Sequence, residues 1–301
     1  MPSPDHELGI RLAAMDWLRV RTNDGLDTIT FEELREFEYG GGRVPLMDAQ
    51  RGIRKPQSLG AALSIRTVYR REGAERPYED GLRPDGLIDY KWRGDDGNHS
   101  ENRALRAAME QHLPLIWFVG IAPGVYQAAF PVYFVAEEPE KQQFVVSPER
   151  DIRLGGSPVE EHLKRYLLRE TKQRLHQPVF RATVMRAYET RCAVCALRHA
   201  QLLDAAHIVP DSDESGIASV RNGLALCKIH HAAYDSHILG IRPDHVVEIR
   251  ADLLDEVDGP MLQHGLKERH GQPLMKVPSV RRERPDRELL EIGYRRFLSA
   301  S

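Results

Sequence analysis

The feature that most limits the folds this chain can adopt is a pair of short motifs, which together contain all three of its cysteines and one histidine. Cys192 and Cys195 form a Cys-x-x-Cys pair, and Cys227 with His230 forms a Cys-x-x-His pair later in the chain. Two such pairs supply the four sulfur and nitrogen donors of a tetrahedral structural zinc site. An odd number of cysteines also argues against a disulfide framework. The spacing therefore predicts one structural Zn²⁺, which would fasten a small region that has little core of its own.

A second histidine directly follows the last predicted zinc ligand, in the segment LCKIHHAAYD. Adjacent side chains on a helix are rotated by about 100°, so His231 faces away from the zinc side. Asp235 lies four residues further on and shares the face of His231. This pair suits a second, hard divalent ion, whereas a hydrogen bond on the helix surface is the simpler explanation. The pair alone leaves both explanations open.

The segments before this helix read as two strands. LLDAAHIVP has a strand-like start and ends at a proline, and VRNGLALC follows after the polar, turn-rich stretch DSDESG at 211–216. The predicted order is strand, loop, return strand and helix. It places His207 on the first strand, Asn222 at the entrance to the second and His231 on the helix.

The motifs AHI (206–208), RNGLALC (221–227) and HHAAYD (230–235) together resemble the HNH nuclease family, which has a ββα-metal fold. The resemblance covers roughly residues 178–242. It implies that His207 is the general base, since a neutral imidazole accepts a proton near pH 7. It also implies that Asn222 orients His207 through its side-chain amide, and that His231 holds a catalytic Mg²⁺ or Mn²⁺. The expected products carry a 5′-phosphate and a 3′-hydroxyl.

One position departs from the family pattern. Many members have Asp or His as a metal ligand directly before the base histidine, whereas this chain has Ala206. Asp204 lies on the same strand face as Ala206 by the alternation of side chains, and Asp235 is the other candidate. We expect one of the two carboxylates to complete the site, with Asp235 favoured by its helical spacing to His231. A purely structural role for Asp204 remains an alternative.

The first half of the chain has a different pattern. Short apolar runs between Val44 and Tyr133 are separated by Gly and Pro and predict the strands of a compact sheet or barrel. The order of RPYEDGLRPDGLIDYKWRG and LPLIWFVGIAPGVYQAAFPVYFV resembles the N-terminal module of bacterial HNH proteins related to SRA domains. Such modules are PUA-type β-barrels that flip a modified cytosine out of the duplex. The resemblance therefore implies a modification-dependent restriction endonuclease for 5-methylcytosine or 5-hydroxymethylcytosine.

Base flipping requires an aromatic pocket and a polar group for the base edge. Asp89, Tyr90 and Trp92 are the candidates, with Tyr78 and Asp80 as further possibilities. Alternation along a regular strand puts Tyr90 and Trp92 on one face and Asp89 on the other, so the three would not line one pocket together. Aromatic residues at this spacing are also typical of a core.

Charge is unevenly distributed along the chain, with a net of −5 over residues 1–150 and +2 over residues 151–301. The stretch from Arg43 to Arg71 nevertheless has seven basic residues and one acidic residue. Such a patch suits a phosphate backbone, although a solvated surface explains it equally well. The predicted phosphate contacts are Arg51, Arg54, Lys55 and Arg66.

These patterns predict an α+β protein with three parts. They are an SRA-like DNA-recognition domain at 1–150, a helical linker at 151–177, and an HNH nuclease domain with a C-terminal extension at 178–301. In the first part, Leu8, Leu12, Met15 and Leu18 predict the apolar side of an N-terminal helix. No run approaches the roughly 20 apolar residues that span a bilayer, and no signal peptide pattern occurs, so a cytoplasmic protein is expected.

The expected partner is double-stranded DNA. One HNH centre nicks one strand, so a double-strand break predicts a homodimer. Two other functions remain open: an HNH endonuclease for an unmodified sequence, and a zinc-stapled DNA-binding module without catalysis. His207, Asn222 and His231 argue against the binding module, because zinc binding requires none of them. RNA is a further possible substrate.

Overall fold

The computed structural model describes residues 4–69, 81–82, 87–147, 177–210 and 219–300. They form two compact units that divide between Val179 and Phe180. Residues 151–176 of the predicted linker at 151–177, the stretch 211–216, and the base-pocket candidates Tyr78 and Asp80 lie outside the described residues. Within the described ranges, no helix has the length and apolarity needed to cross a membrane. The mixed α+β class is confirmed.

The N-terminal unit has two helices, α1 (Pro4–Arg21) and α2 (Ser100–Glu110). Its strands are β1 (Thr28–Thr30), β2 (Glu38–Tyr39), β3 (Gly42–Arg43), β4 (Ile53–Arg54), β5 (Ser64–Thr67), β6 (Gly81–Leu82), β7 (Ile88–Lys91), β8 (Leu115–Ala122), β9 (Val125–Glu138) and β10 (Gln143–Ser147). Short 3₁₀ segments occupy Glu33–Arg35 and Pro139–Lys141. The apolar runs of the first half therefore form strands, as predicted.

Eight of these strands form one sheet in the order β4-β5-β8-β9-β10-β7-β6, with β1 added against β9. The strand β9 is 14 residues long, and it pairs with β8 and β1 near its start and with β10 near its end. Because one long strand serves both parts, the sheet curls into a half-barrel. Among the described strands, β5 and β8 are the one parallel pair of this sheet.

The core of this unit lies between α1 and the sheet, and its fully buried members include Leu18, Leu34 and Phe118. The predicted apolar side of α1 was wrong for two of its four residues, because Leu8 and Leu12 are exposed, whereas Met15 and Leu18 are buried. Arg11 takes a core position instead, where its guanidinium donates to the carbonyl oxygens of Ala62 and Pro114 and pairs with Glu7. The side of α1 that faces the core therefore includes the buried ion pair of Arg11 and Glu7, and it differs from the side that apolar spacing indicated.

The C-terminal unit contains four helices and two hairpins in the described residues. The helices are α3 (177–187), α4 (Lys228–Asp235), α5 (Ala251–Leu254) and α6 (Arg287–Ser299). The hairpin strands are β11 (Leu203–His207), β12 (Gly223–Cys227), β13 (Leu239–Ile241) and β14 (Val247–Ile249). Short 3₁₀ segments occupy Ala200–Leu202, Val220–Asn222, Lys267–Arg269 and Arg281–Glu283, and a π-helical segment covers Met261–Leu266.

The hairpin β11–β12 and the helix α4 give the predicted order of strand, strand and helix. The strands are antiparallel, with Leu203 opposite Cys227 and His207 opposite Gly223. Because α4 begins one residue after Cys227, the last cysteine predicted to bind zinc lies at the junction of strand and helix. The hairpin and α4 therefore bring the sequence motifs of the two predicted metal sites into one small structure.

Candidate metal and nuclease site

The first cluster of metal-binding side chains consists of Cys192, Cys195, Cys227 and His230. Their donor atoms all lie within 4.8 Å of one another, and the Nδ1 atom of His230 is 3.1 Å from the sulfur of Cys227 and 3.4 Å from that of Cys192. Sulfurs bound to one Zn²⁺ at 2.3 Å are about 3.8 Å apart in a tetrahedron. The three sulfurs and one nitrogen therefore fit a structural zinc ion in both chemistry and spacing.

The surroundings hold these donors in place. The Nε2 atom of His230 lies 2.7 Å from the carbonyl oxygen of Gly265, which makes Nε2 the protonated nitrogen and leaves Nδ1 as the metal donor. The backbone N–H of Ala193 donates to Ala225 on β12, so the Cys-x-x-Cys turn is fastened to the hairpin. Gly265 belongs to the C-terminal extension, and its role could not be predicted from a sequence motif.

Crowding shifts the acid–base properties of this cluster. Burial alone would lower the pKa of His230, but hydrogen bonds with Cys195 and Cys227 outweigh it and raise that pKa to about 10. Hydrogen bonds with Cys192 and Cys195 lower the pKa of the Cys227 thiol. The sulfurs and the imidazole thus share protons at close range, and a bound divalent cation would replace those protons.

The second histidine of α4 faces two carboxylates. The Nε2 atom of His231 is 3.3 Å from Oδ2 of Asp235, and its Nδ1 atom is 3.7 Å from Oδ2 of Asp204. The neighbouring histidines of α4 therefore point to different sites, His230 into the cysteine cluster and His231 between the two aspartates. Both carboxylates that the sequence singled out are near His231, but they approach different ring nitrogens.

Asp204 already has two cationic partners. Its Oδ1 accepts a hydrogen bond from Arg181, and its Oδ2 lies 2.7 Å from Nζ of Lys228. Burial would raise the pKa of the Asp204 carboxyl, but the hydrogen bond from His231 and the charges of Arg181 and Lys228 hold it well below its usual range. Asp235 is largely exposed, and His231 is its partner in the described ion pairs. Asp235 is thus the carboxylate whose charge is less neutralised.

His207 is the last residue of β11 and is partly buried. Its imidazole lies flat against the ring of Phe180, with 3.9 Å between the ring centroids and an interplanar angle of 7°. Phe180 belongs to α3 and is buried. This contact could not be predicted from the sequence, because the two residues are far apart in the chain and Phe180 lies before the recognisable motifs.

Asn222 is fully buried at the end of the 3₁₀ turn that enters β12. Its Oδ1 accepts a hydrogen bond of 2.9 Å from the N–H of Val209, and its Nδ2 donates one of 2.8 Å to the carbonyl oxygen of Val209. The backbone carbonyl of Asn222 also accepts from the N–H of Ile208. These bonds fix the backbone that directly follows His207.

Of the three residues predicted for a base pocket, Asp89 and Tyr90 are on β7 and Trp92 directly follows that strand. Tyr90 and Trp92 are buried, and their rings pack against Phe134 and Phe144 in the core of the sheet. Asp89 has the opposite orientation in the strand and is partly exposed. The structure therefore places the two aromatic rings in core packing and does not bring the three side chains to one face.

The four basic residues predicted to contact phosphates divide into two pairs. Arg54 donates to the carbonyl oxygen of Pro45, and Arg66 donates to those of Asp48 and Ala49. These two guanidinium groups hold a loop of their own unit. Arg51 and Lys55 are exposed and remain the better-placed candidates for an external phosphate.

Comparison with known proteins identifies the nuclease region. Residues 192–242 match the family described as HNH endonuclease, so this part of the C-terminal unit is an HNH endonuclease domain. The match covers β11, β12, α4 and both histidines of α4. It also covers the zinc-type cluster, which consists of Cys192, Cys195, Cys227 and His230. It does not include Phe180 or Arg181. A search of curated proteins found no match.

Two restriction endonucleases of known structure show weak similarity to the chain. One is a modification-dependent TagI restriction endonuclease, with 17% identity, a TM-score of 0.31 and coverage of 82% of this chain and 85% of that one. The other is the type IV phosphorothioation-dependent restriction endonuclease ScoMcrA, with 15% identity, a TM-score of 0.25 and the same coverage of this chain. The matched region covers 56% of the ScoMcrA chain. TM-scores this low do not establish a shared overall fold.

Proposed function

We propose that the protein is a metal-dependent endonuclease that hydrolyses phosphodiester bonds in double-stranded DNA. The observation that carries this proposal is the division of side chains within the HNH domain. Cys192, Cys195, Cys227 and His230 form a complete set of zinc donors, so His207, Asn222 and His231 are not needed for zinc. A domain that only bound DNA through a zinc-stapled fold would not require His207 and His231 for its zinc.

His207 is proposed as the general base. Its imidazole takes the proton of the attacking water, while the water oxygen forms a bond to phosphorus and the P–O3′ bond breaks. The products are a 5′-phosphate and a 3′-hydroxyl. The hydrogen bonds between Asn222 and Val209 support this role, because they fix the backbone two residues beyond the base.

His231 and Asp235 are proposed to hold the catalytic Mg²⁺ or Mn²⁺. Adjacent ligands at 2.0–2.1 Å from one Mg²⁺ are about 3 Å apart, close to the 3.3 Å between Nε2 and Oδ2 of this pair. When bound, the ion would supply positive charge to the scissile phosphate and the leaving oxygen. Asp204 faces the other nitrogen of His231 and is paired with Arg181 and Lys228, so we assign it to orienting His231.

The N-terminal unit is proposed to be an SRA-like reader of modified cytosine, which would make the protein a modification-dependent restriction endonuclease. Three observations support this role: the resemblance of its sequence, its curled sheet of short strands, and the exposed basic side chains of Arg51 and Lys55. The core positions of Tyr90 and Trp92 leave the base-binding residues unassigned. An HNH endonuclease for an unmodified sequence is the alternative.

Two copies of one plasmid, identical except for cytosine methylation, test this proposal. Each is incubated with the protein and Mg²⁺ or Mn²⁺, with His207→Ala as the control. Cleavage of the methylated copy alone is the expected result. Equal cleavage of both copies would remove the modified-base reader and keep the nuclease, and cleavage by His207→Ala would remove the proposed mechanism. If neither copy is cut, 5-hydroxymethylated plasmid is tested next, and failure there would favour the binding module.

We also propose that two chains act together, since one HNH centre cuts one strand. The same plasmid assay distinguishes nicked circles from linear product. Linear product whose rate rises steeply with protein concentration is expected for a homodimer. A product that remains nicked at all protein concentrations would contradict it.

A further inference from the structure

The contact between Phe180 and His207 is closer and more parallel than core packing requires. Aromatic pairs usually prefer offset or edge-to-face arrangements with centroids 4.5–7 Å apart. Here the centroids are 3.9 Å apart and the planes differ by 7°. Phe180 is 5% exposed and lies outside the matched family region, so no role follows for it from the HNH motifs.

The residue opposite His207 on β12 is a glycine, which leaves space for this contact. Gly223 is the register partner of His207, and it has ordinary extended backbone with φ −122°. A Cβ atom at this position would lie 3.1 and 3.2 Å from the Phe180 ring and 2.3 Å from Cγ2 of Val184. Glycine is therefore needed at 223 for space, because α3 approaches the hairpin directly above the pair of His207 and Gly223.

Stacking restricts the imidazole without blocking its chemistry. Rotation of a histidine ring about its last side-chain bond is broad and roughly two-fold, so an uncovered His207 has a choice of orientations. A flat ring against one face restricts the plane of the imidazole. The proton-accepting lone pair lies in the plane of the imidazole, at its edge, so a ring stacked on the face does not itself cover it.

The neighbour of Phe180 fixes the start of the same strand. Arg181 donates to the carbonyl oxygen of Leu203 at 2.5 Å and to the carboxylate of Asp204. Consecutive residues of α3 thus hold β11 at both ends, Arg181 at Leu203 and Asp204, and Phe180 at His207. The helix before the recognisable motifs therefore acts as a support for the strand that carries the base.

We propose that Phe180 is a positioning residue for the nuclease reaction, and that it holds the imidazole of His207 in the orientation that accepts the proton from water. The inference rests on the proposed function of His207 as general base. It predicts that the reaction needs the flat ring at position 180 and not only its apolar volume.

The test compares Phe180→Leu with Phe180→Tyr. Leucine fills much of the space but has no ring face, whereas tyrosine keeps the face. We expect Phe180→Leu to lower kcat by about tenfold or more with KM little changed, since a misplacement of about 1 Å can cost on the order of a hundredfold. Phe180→Tyr should restore kcat to within about threefold of the unsubstituted protein. Zinc content and Tm are measured for both proteins to compare folded molecules.

Phe297→Leu is the matched control, because Phe297 is also a buried phenylalanine of this unit but packs on Gly240 of β13. It should lower Tm to a similar extent and leave kcat unchanged. NMR gives a readout that does not depend on activity: the ring protons of His207, assigned with His207→Ala, should move downfield in Phe180→Leu as the stacked ring is lost. If Phe180→Leu folds poorly, Phe180→Met is measured in its place, since methionine adapts to irregular space.

The inference is overturned if Phe180→Leu keeps full kcat, or if Phe180→Tyr is as impaired as Phe180→Leu. The result for His207→Ala separates this failure from failure of the proposed function. If His207→Ala abolishes cleavage and Phe180→Leu does not, only the positioning role is lost. If His207→Ala cleaves normally, the general-base assignment itself is lost.

Discussion

Helix α4 contributes to two proposed metal sites that differ in their donors and in their exposure. The site on the His230 side has four donors, His230 is 2% exposed, and the C-terminal extension covers it through the carbonyl oxygen of Gly265. The site on the His231 side has a partly exposed imidazole and a carboxylate, Asp235, that is 63% exposed. The six-residue segment HHAAYD contributes to both sites.

The difference shows how the number of protein donors separates a structural ion from a catalytic one. A closed set of four sulfur and nitrogen donors leaves no position for substrate, so it can only stabilise the fold. Two donors leave most positions of a hard divalent ion open to water and phosphate oxygens. The proposed division of labour therefore follows from how many side chains each histidine of α4 has beside it.

The largest expected effect comes from opening the closed site. Cys227→Ser should lose the zinc ion and the cooperative unfolding transition of the C-terminal unit, because structural zinc contributes on the order of 10–16 kcal/mol to folding in small domains. Elemental analysis of zinc per chain and a thermal melt measure this. Asp235→Ser is the control from the open site, and it should keep its zinc. Normal zinc content and an unchanged thermal unfolding transition in Cys227→Ser would contradict a structural role for this site.

A smaller effect should distinguish the two carboxylates near His231. Asp235→Asn is expected to raise the Mn²⁺ concentration for half-maximal cleavage by about tenfold or more, since it removes a charged donor. Asp204→Asn should leave that requirement nearly unchanged but lower the free energy of unfolding by about 1–3 kcal/mol, because Arg181 and Lys228 lose their charged partner. A cleavage titration with Mn²⁺ and a denaturant melt decide between them. The reverse pattern would make Asp204 the metal ligand.

The smallest effect concerns the support of the base. Asn222→Ala removes both hydrogen bonds with Val209 and should lower the free energy of unfolding by about 1–3 kcal/mol, with a fall in kcat as the backbone after His207 loosens. Asn222→Asp keeps the acceptor for the N–H of Val209 and should be intermediate in stability. Denaturant melts and single-turnover rates give both quantities. An Asn222→Ala protein as stable as the unsubstituted one would contradict the stabilising role of the Asn222–Val209 hydrogen bonds.

The parts of the molecule that could be predicted from sequence are those that depend on local spacing. The two donor pairs of the zinc-type cluster and the order β11, β12, α4 are both local patterns, and the structure confirms that they come together. The separation of His230 from His231 also follows from helix geometry alone, since adjacent residues cannot share a helix face.

The parts that could not be predicted depend on contacts between distant segments. Phe180, Arg181 and Gly265 meet His207, Asp204 and His230 only because α3 and the C-terminal extension pack against the hairpin and α4. In the N-terminal unit, apolar spacing placed Leu8 and Leu12 inside, whereas Arg11 is buried through its bonds to Glu7, Ala62 and Pro114. Hydropathy has no means of showing that a charged residue will find such partners.

If the neighbouring histidines of α4 have separate tasks, substitution of each by alanine should separate zinc binding from cleavage. Zinc content, Tm and Mn²⁺-dependent plasmid cleavage are measured side by side for His230→Ala and His231→Ala. We expect His231→Ala to keep its zinc and its Tm but to lose cleavage, and His230→Ala to lose its zinc and to have a lower Tm. Loss of zinc in His231→Ala, or normal zinc content and cleavage in His230→Ala, would contradict this separation.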